Sequence, residues 1–79
     1  MKAFGYAEKE VGKSGLLDLN EITLVGTADE IRLVANFLLA MADDMENRLE
    51  EFDHRHMQDE VTNWDVDWPD FIVAASEER

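Results

Sequence analysis

The sequence predicts a small two-layer α+β domain: a three-stranded, mostly antiparallel sheet packed by one long amphipathic helix, in the order β-β-α-β. Three observations carry that prediction. Gly26-Thr27-Ala28-Asp29-Glu30 is a helix-start signal that opens a stripe of apolar residues at helical spacing. Alternating apolar residues precede it in MKAFGYA and LLDLNEITLV. A β-rich run, FIVAA, follows near the C-terminus. A sheet face and a helix stripe each need a partner surface, and the two-layer arrangement supplies it. Residues 1–79 read as a single domain, because a chain this short encloses one small core.

In MKAFGYA, Phe4 and Tyr6 share one side of a strand. Glu8 to Gly15 is polar, contains Gly12 and Gly15, and reads as a turn or loop. In LLDLNEITLV, residues 16–25, Leu17 and Leu19 have one parity and Ile22 and Leu24 the other. The alternation slips at Asn20-Glu21, where a β-bulge restores a single apolar face. A tight hairpin at Asp18 to Glu21 is the weaker alternative, since no glycine is available there.

Thr27 as N-cap and Glu30 three residues later form a capping-box pattern. Asp29 and Glu30 also suit the positive end of the helix dipole. Ile31, Val34, Leu38, Met41, Met45 and Leu49 follow at spacings of three and four, widened by Leu33 and Phe37. They predict a helix running to about residue 48–51. From His54 to Trp68 no helical or strand period can be counted, apart from a brief alternation in Asp65-Val66-Asp67. Pro69 biases Trp68 toward extended geometry. FIVAA, residues 71–75, reads as a strand buried on both faces, with a central place in the sheet.

Composition narrows the function. Nineteen acids against seven Lys and Arg leave a net charge of -12. Phosphate binding needs cations that displace counterions, so nucleic acid is excluded as a partner, and anionic membrane surfaces on similar grounds. No apolar run is long enough to span a bilayer. MKAFGYAEKEVG lacks the apolar core of a secretory signal, and the chain has no cysteine. A cytoplasmic protein is the expectation, without disulfides, thiolate chemistry or cysteine zinc sites. Strong negative charge steers a protein toward basic surfaces.

Both histidines lie in Phe52-Asp53-His54-Arg55-His56-Met57-Gln58-Asp59. Imidazole and carboxylate can ligate a transition metal, which makes His54, His56 and Asp59 a minority metal set. On a strand the two histidines point the same way; on a helix they lie about 200° apart. Nothing in the spacing fixes a third or fourth ligand. A histidine can also serve as a general base. Yet the serine hydroxyls are limited to Ser14 and Ser76, no glycine-rich phosphate loop is present, and the domain is small for a substrate pocket. The expectation is therefore a protein without enzymatic activity or cofactor. The plainer reading of the segment is a polar connector.

Trp64 and Trp68 stand among Asp65, Asp67 and Asp70. At least one of them is expected to close the core. An exposed one suits a basic partner with an apolar pocket, since Trp is enriched at binding hot spots. Asp43, Asp44, Glu46, Glu50, Glu51 and Asp53 crowd the helix C-terminus, where negative charge opposes the dipole. The bland reading is a solvated face with Arg48 in partial compensation. The candidate partner-binding residues are Asp43, Glu46, Glu50, Asp53, His54, His56, Asp59, Trp64, Asp65 and Asp67. A third reading is an oligomerising domain, a homodimer in the simplest case, in which Met41, Met45 and Leu49 meet a second copy.

Four pieces taken together resemble the immunity protein 32 family, small bacterial proteins encoded beside polymorphic toxins. They are the L-x-L-x-E-I/V-T-L pattern over Leu17 to Leu24, E-I-R-L-x-A-x-F-L-L over Glu30 to Leu39, F-x-H-x-H-x-x-D over Phe52 to Asp59, and the W-P-D-F/I-I-V ending over Trp68 to Val73. The resemblance spans residues 16–74. It implies a protein that binds a cognate toxin and blocks it. A nuclease with a basic surface would suit the acidic charge of this chain. In that setting the F-x-H-x-H-x-x-D element is a structural or partner-contacting loop.

Overall fold

A computed structural model describes residues 1–11 and 15–76. The elements are β1 (Lys2–Val11), β2 (Leu16–Val25), α1 (Ala28–Asn47), β3 (His54–His56), a one-turn α2 (Met57–Glu60) and β4 (Ile72–Ala74). The class is α+β, but the sheet differs from expectation. β1 pairs antiparallel with β2, and β3 pairs antiparallel with β4, as two separate two-stranded sheets. FIVAA is therefore not a central strand. Only Ile72–Ala74 pairs, with β3 alone, and Ile72 is exposed. Its short partner and the neighbouring Pro69 leave no long ladder for it to join.

β1 runs on to Val11, past the point where polarity suggested a loop; Gly12, Lys13 and Ser14 of the expected turn lie outside the described residues. Gly15 enters β2 with φ of 81°, a left-handed conformation that glycine adopts without a Cβ penalty. Tyr6 pairs with Glu21 and Ala7 with Leu19, so Asn20 is the extra residue of a bulge where the alternation slips. A second shift leaves out Glu8 on the opposite strand, since Lys9 pairs with Asp18.

The Thr27 capping box is complete. The Glu30 amide donates to Thr27 Oγ1 at 3.2 Å, and the Thr27 amide donates to Glu30 Oε1 at 2.8 Å. The helix ends one residue short of the expected range, capped by Arg48, whose amide donates to the Asp44 carbonyl. The core lies where α1 meets the segment after it. Val34, Phe37 and Met41 of α1 are buried with Phe52 and Met57. Leu33, Met45, Val61, Trp64, Phe71 and Val73 pack around them. The stripe is rotated from the expected one: Phe37 replaces Leu38 at its centre, and Leu38 is exposed. The long hairpin contributes Met1 and Leu24 to this core, while Phe4, Tyr6, Leu16, Leu17, Leu19, Ile22 and Val25 are exposed.

The stretch without a countable period thus contains β3 and α2. Three residues of strand and one turn of helix are too short to reveal a period. Met57 is fully buried, at 0% exposure. Met57→Ala is expected to lower stability by about 2–5 kcal/mol, through lost transfer energy and a residual cavity. A core this small supplies only about 3–5 kcal/mol, so the variant should be largely unfolded in a urea titration. A loss under about 1 kcal/mol would place Met57 outside the core.

Candidate functional site

Strand geometry sets the histidines side by side. Residues two apart on β3 point to the same face, and the rings of His54 and His56 meet edge-on with centroids 5.2 Å apart. Each Nδ1 faces a carboxylate: His54 with Asp53 Oδ2 at 2.8 Å, and His56 with Asp70 Oδ2 at 2.6 Å. Asp70 is itself fixed, because its Oδ1 accepts the Gln58 amide at 3.1 Å. This ties β3, α2 and the chain before β4 together. Among the described residues no three His, Asp or Glu side chains converge to hold a metal ion, so His54, His56 and Asp59 do not form the set considered for them.

Arg55 lies on the other face of β3. Its guanidinium sits over the Phe52 ring, 5.3 Å from the centroid. It pairs with Asp44 Oδ2 at 2.6 Å and with Glu60 Oε1 at 3.3 Å. Arg48 reaches Asp44 Oδ1 through Nη2 at 2.7 Å and Nε at 3.0 Å. Asp44 Oδ2 has no well-aligned hydrogen bond, so its link to Arg55 is chiefly Coulombic. The partial compensation by Arg48 expected at the acidic helix end is present at Asp44, and Arg55 adds to it.

The hydrogen bonds of Arg48 hold the Asp44 carboxyl below the ordinary carboxylate range; partial burial opposes this, and the charges of Arg48 and Arg55 add to it. Glu30 is lowered too, first by the backbone amide of Thr27.

Trp64 and Trp68 contact edge to face, 5.5 Å apart at 84°. Trp64 is half-buried against the core, the structural role expected for at least one of the pair. Between them the chain turns rather than extending, which corrects the alternation read there. Asp65 Oδ1 accepts the Asp67 amide at 2.9 Å, and the Asp65 carbonyl accepts the Trp68 amide at 3.0 Å. Such an Asx turn is a common local use of aspartate. Its tip presents Val66, 90% exposed, between the exposed Asp65 and Asp67.

Three arginines of the described residues are committed: Arg32 to Asp29, Arg48 to Asp44, and Arg55 to Asp44 and Glu60. Asp43, Glu46, Glu50, Asp59, Asp65 and Asp67 are exposed, and none is within ion-pair distance of a basic group among the described residues. Glu46 and Glu50 line a shallow polar depression of about 380 Å³ with Asn47, Arg48, Leu49 and Glu51. Beside it, sharing Glu46 and Leu49, is an open apolar groove of about 430 Å³ lined also by Leu38, Ala42, Met45 and Val73. The pattern of the sequence places Met45 and Leu49 on an outward stripe but not Leu38, Ala42 and Val73 beside them, and Met41 of that stripe is buried. It does not mark Val66 as a contact. A valine isolated between two aspartates was the available signal for Val66; the groove depends on which side of α1 the later segment covers.

No protein-family model, curated protein or solved structure matches the chain. The resemblance to the immunity protein 32 family therefore rests on the quoted motifs.

Lowered carboxyl values have a definite sign in stability. Asp44 and Glu30 bind protons less readily folded than unfolded, so their contribution is fully present above the unfolded value of about 4. It is lost as pH falls through the lower folded values. The urea midpoint should therefore fall between pH 5 and pH 2, and Asp44→Asn should fall less over that window, from a lower start. Parallel profiles for the two proteins would remove Asp44 from the linkage.

Proposed function

We propose that this chain is a non-enzymatic acidic binding protein that attaches to a basic protein surface, as an immunity protein attaches to its toxin. The observation that supports it best is the allocation of charge. Arg48 and Arg55 are committed to Asp44 and Arg32 to Asp29, while Asp43, Glu46, Glu50, Asp59, Asp65 and Asp67 stand toward solvent. Such carboxylates raise the encounter rate with a cationic partner and orient it. Charge alone binds weakly in physiological salt, where screening is effective beyond about 8 Å. Val66 supplies an apolar contact framed by two carboxylates on a braced turn.

His54 and Asp53 stand exposed beside each other and belong to the same face-forming segment. His56 and Trp64 hold that segment in place. A basic nuclease toxin is the partner class this reading favours, with a cytoplasmic location. Among the described residues no helix is long and apolar enough to cross a membrane.

The test is affinity capture from the source cell at low and high salt. Wild-type chain is expected to retain one basic protein at low salt and release it at high salt. Glu46→Lys/Glu50→Lys and Asp65→Lys/Asp67→Lys should each weaken capture by about tenfold or more, and Val66→Ser should weaken it while leaving its salt dependence in place. All these positions are exposed, so circular dichroism should be unchanged. Equal capture by every variant would overturn the proposal.

A further inference from the structure

Two apolar surfaces of this chain lie open to solvent. The first is one face of the β1-β2 hairpin. Paired residues on antiparallel strands project to the same side, which puts Ala3, Gly5 and Ala7 with Leu24, Ile22 and Leu19; Leu24, at the base, packs on the chain's own core, and the face opens to solvent beyond it. The bulge at Asn20 keeps Leu17 on that side. No charged residue lies on this face between Ala3 and Ala7 or between Leu19 and Leu24, whereas Leu17, beyond the bulges, pairs with Glu10. Leu17, Leu19 and Ile22 are exposed, Ile22 at 67%. A Cβ on Gly5 would meet Leu19 Cδ1 at 2.9 Å, so the Leu19 side chain leans across the glycine and levels the face.

The second surface is the groove on α1. Leu38, Ala42 and Met45 follow at spacings of four and three, with Val73 of β4 as a wall. A sheet face and a helix stripe of this kind normally cover one another within a two-layer domain. Here they are kept apart. The hairpin base is pinned at the start of α1, by the Met1 amino group on Glu30 Oε2 at 3.3 Å and by the Thr27 cap. The groove lies in the second half of the helix. The molecule has two nearly equal long dimensions, 34 × 32 × 19 Å, as a hairpin and a helix diverging from one corner would give.

We propose that two copies associate reciprocally, the hairpin face of each lying in the helix groove of the other. Surface area supports this. A compact monomer of 9.1 kDa exposes about 4,900 Å², whereas this chain exposes 6359 Å². The difference of about 1,500 Å² exceeds the roughly 800 Å² that a standard interface removes from each partner. A two-stranded sheet with both edges open is also marginal in water without a covering layer. Charge supports it as well. Residues 1–26 carry three lysines and four acids, while residues 27–79 carry fifteen acids and four arginines. The near-neutral arm of one copy therefore meets the acidic helix of the other, and the -12 charge of each chain does not oppose contact there.

Sedimentation equilibrium of the full chain at high micromolar concentration tests the assembly. The expected mass is twice 9.1 kDa. Ile22→Asp on the hairpin and Ala42→Glu in the groove should each give monomers, and Phe4→Asp on the opposite hairpin face should leave the dimer. Mixing Ile22→Lys with Ala42→Glu should restore a heterodimer, because one contact joins an intact hairpin to an intact groove and the other opposes unlike charges. Helix content by circular dichroism checks each variant. If Ile22→Asp loses it, Leu17→Asp, further out on the arm, replaces it in the same comparison. A monomeric wild type overturns the proposal, whether its groove is then covered by its own hairpin or by a foreign partner. A dimer indifferent to Ala42→Glu, or failure of the mixed variants to associate, overturns the reciprocal geometry.

Discussion

The contact on which the rest of the molecule depends is the burial of Phe52 and Met57 against Val34, Phe37 and Met41. These five side chains are the buried core of the described residues. Phe52 and Met57 bracket β3, so burying both fixes that strand against the helix. Arg55 then reaches Asp44 across the Phe52 ring, His56 reaches Asp70, and β4 finds its partner. The histidines that first suggested metal or catalysis sit in the middle of this arrangement. Their Nδ1 atoms face carboxylates that belong to the framework.

Charge is handled differently inside and outside that framework. Near the core, acids are paired: Asp44 with two arginines, Glu60 with Arg55, Asp70 with His56 and the Gln58 amide. Away from it, Asp29 and Asp53 have exposed partners in Arg32 and His54, and Asp43, Glu46, Glu50, Asp59, Asp65 and Asp67 face water. A small domain with a net charge of -12 loses stability to self-repulsion, and moving the unpaired acids to the periphery limits that loss. The same placement leaves them available to a cationic partner.

The sequence disclosed the features whose causes are local. Thr27 and Glu30 announced the helix start, because both halves of a capping box lie within four residues. The parity slip at Asn20 announced the bulge. The sheet architecture was not legible, since it depends on which strands meet. The apolarity of FIVAA suggested a central strand, yet it serves the core through Phe71 and Val73 while pairing along only three residues. The orientation of the helix stripe was off by one residue, because Phe37 and Leu38 are equally apolar and only the position of Phe52 and Met57 decides between them. The Asp44 clamp joins a helix residue to one eleven positions later, beyond the reach of spacing rules. Of the candidate contacts, the unpaired acids were visible by counting, whereas Val66 required the turn that exposes it.

The two bulges of the hairpin lie on opposite strands. Lys2 to Tyr6 and Lys9 to Val11 follow the same pairing frame, displaced only between Tyr6 and Lys9. Asn20 acts as an insertion, and Glu8 acts as the compensating insertion that restores the frame. Each bulge adds local twist and bends its strand, so the arm coils without losing its alignment at the tip. The two residues are therefore one unit of length. Removing both would leave a regular ladder with the same faces, whereas removing either alone would offset every pair beyond it.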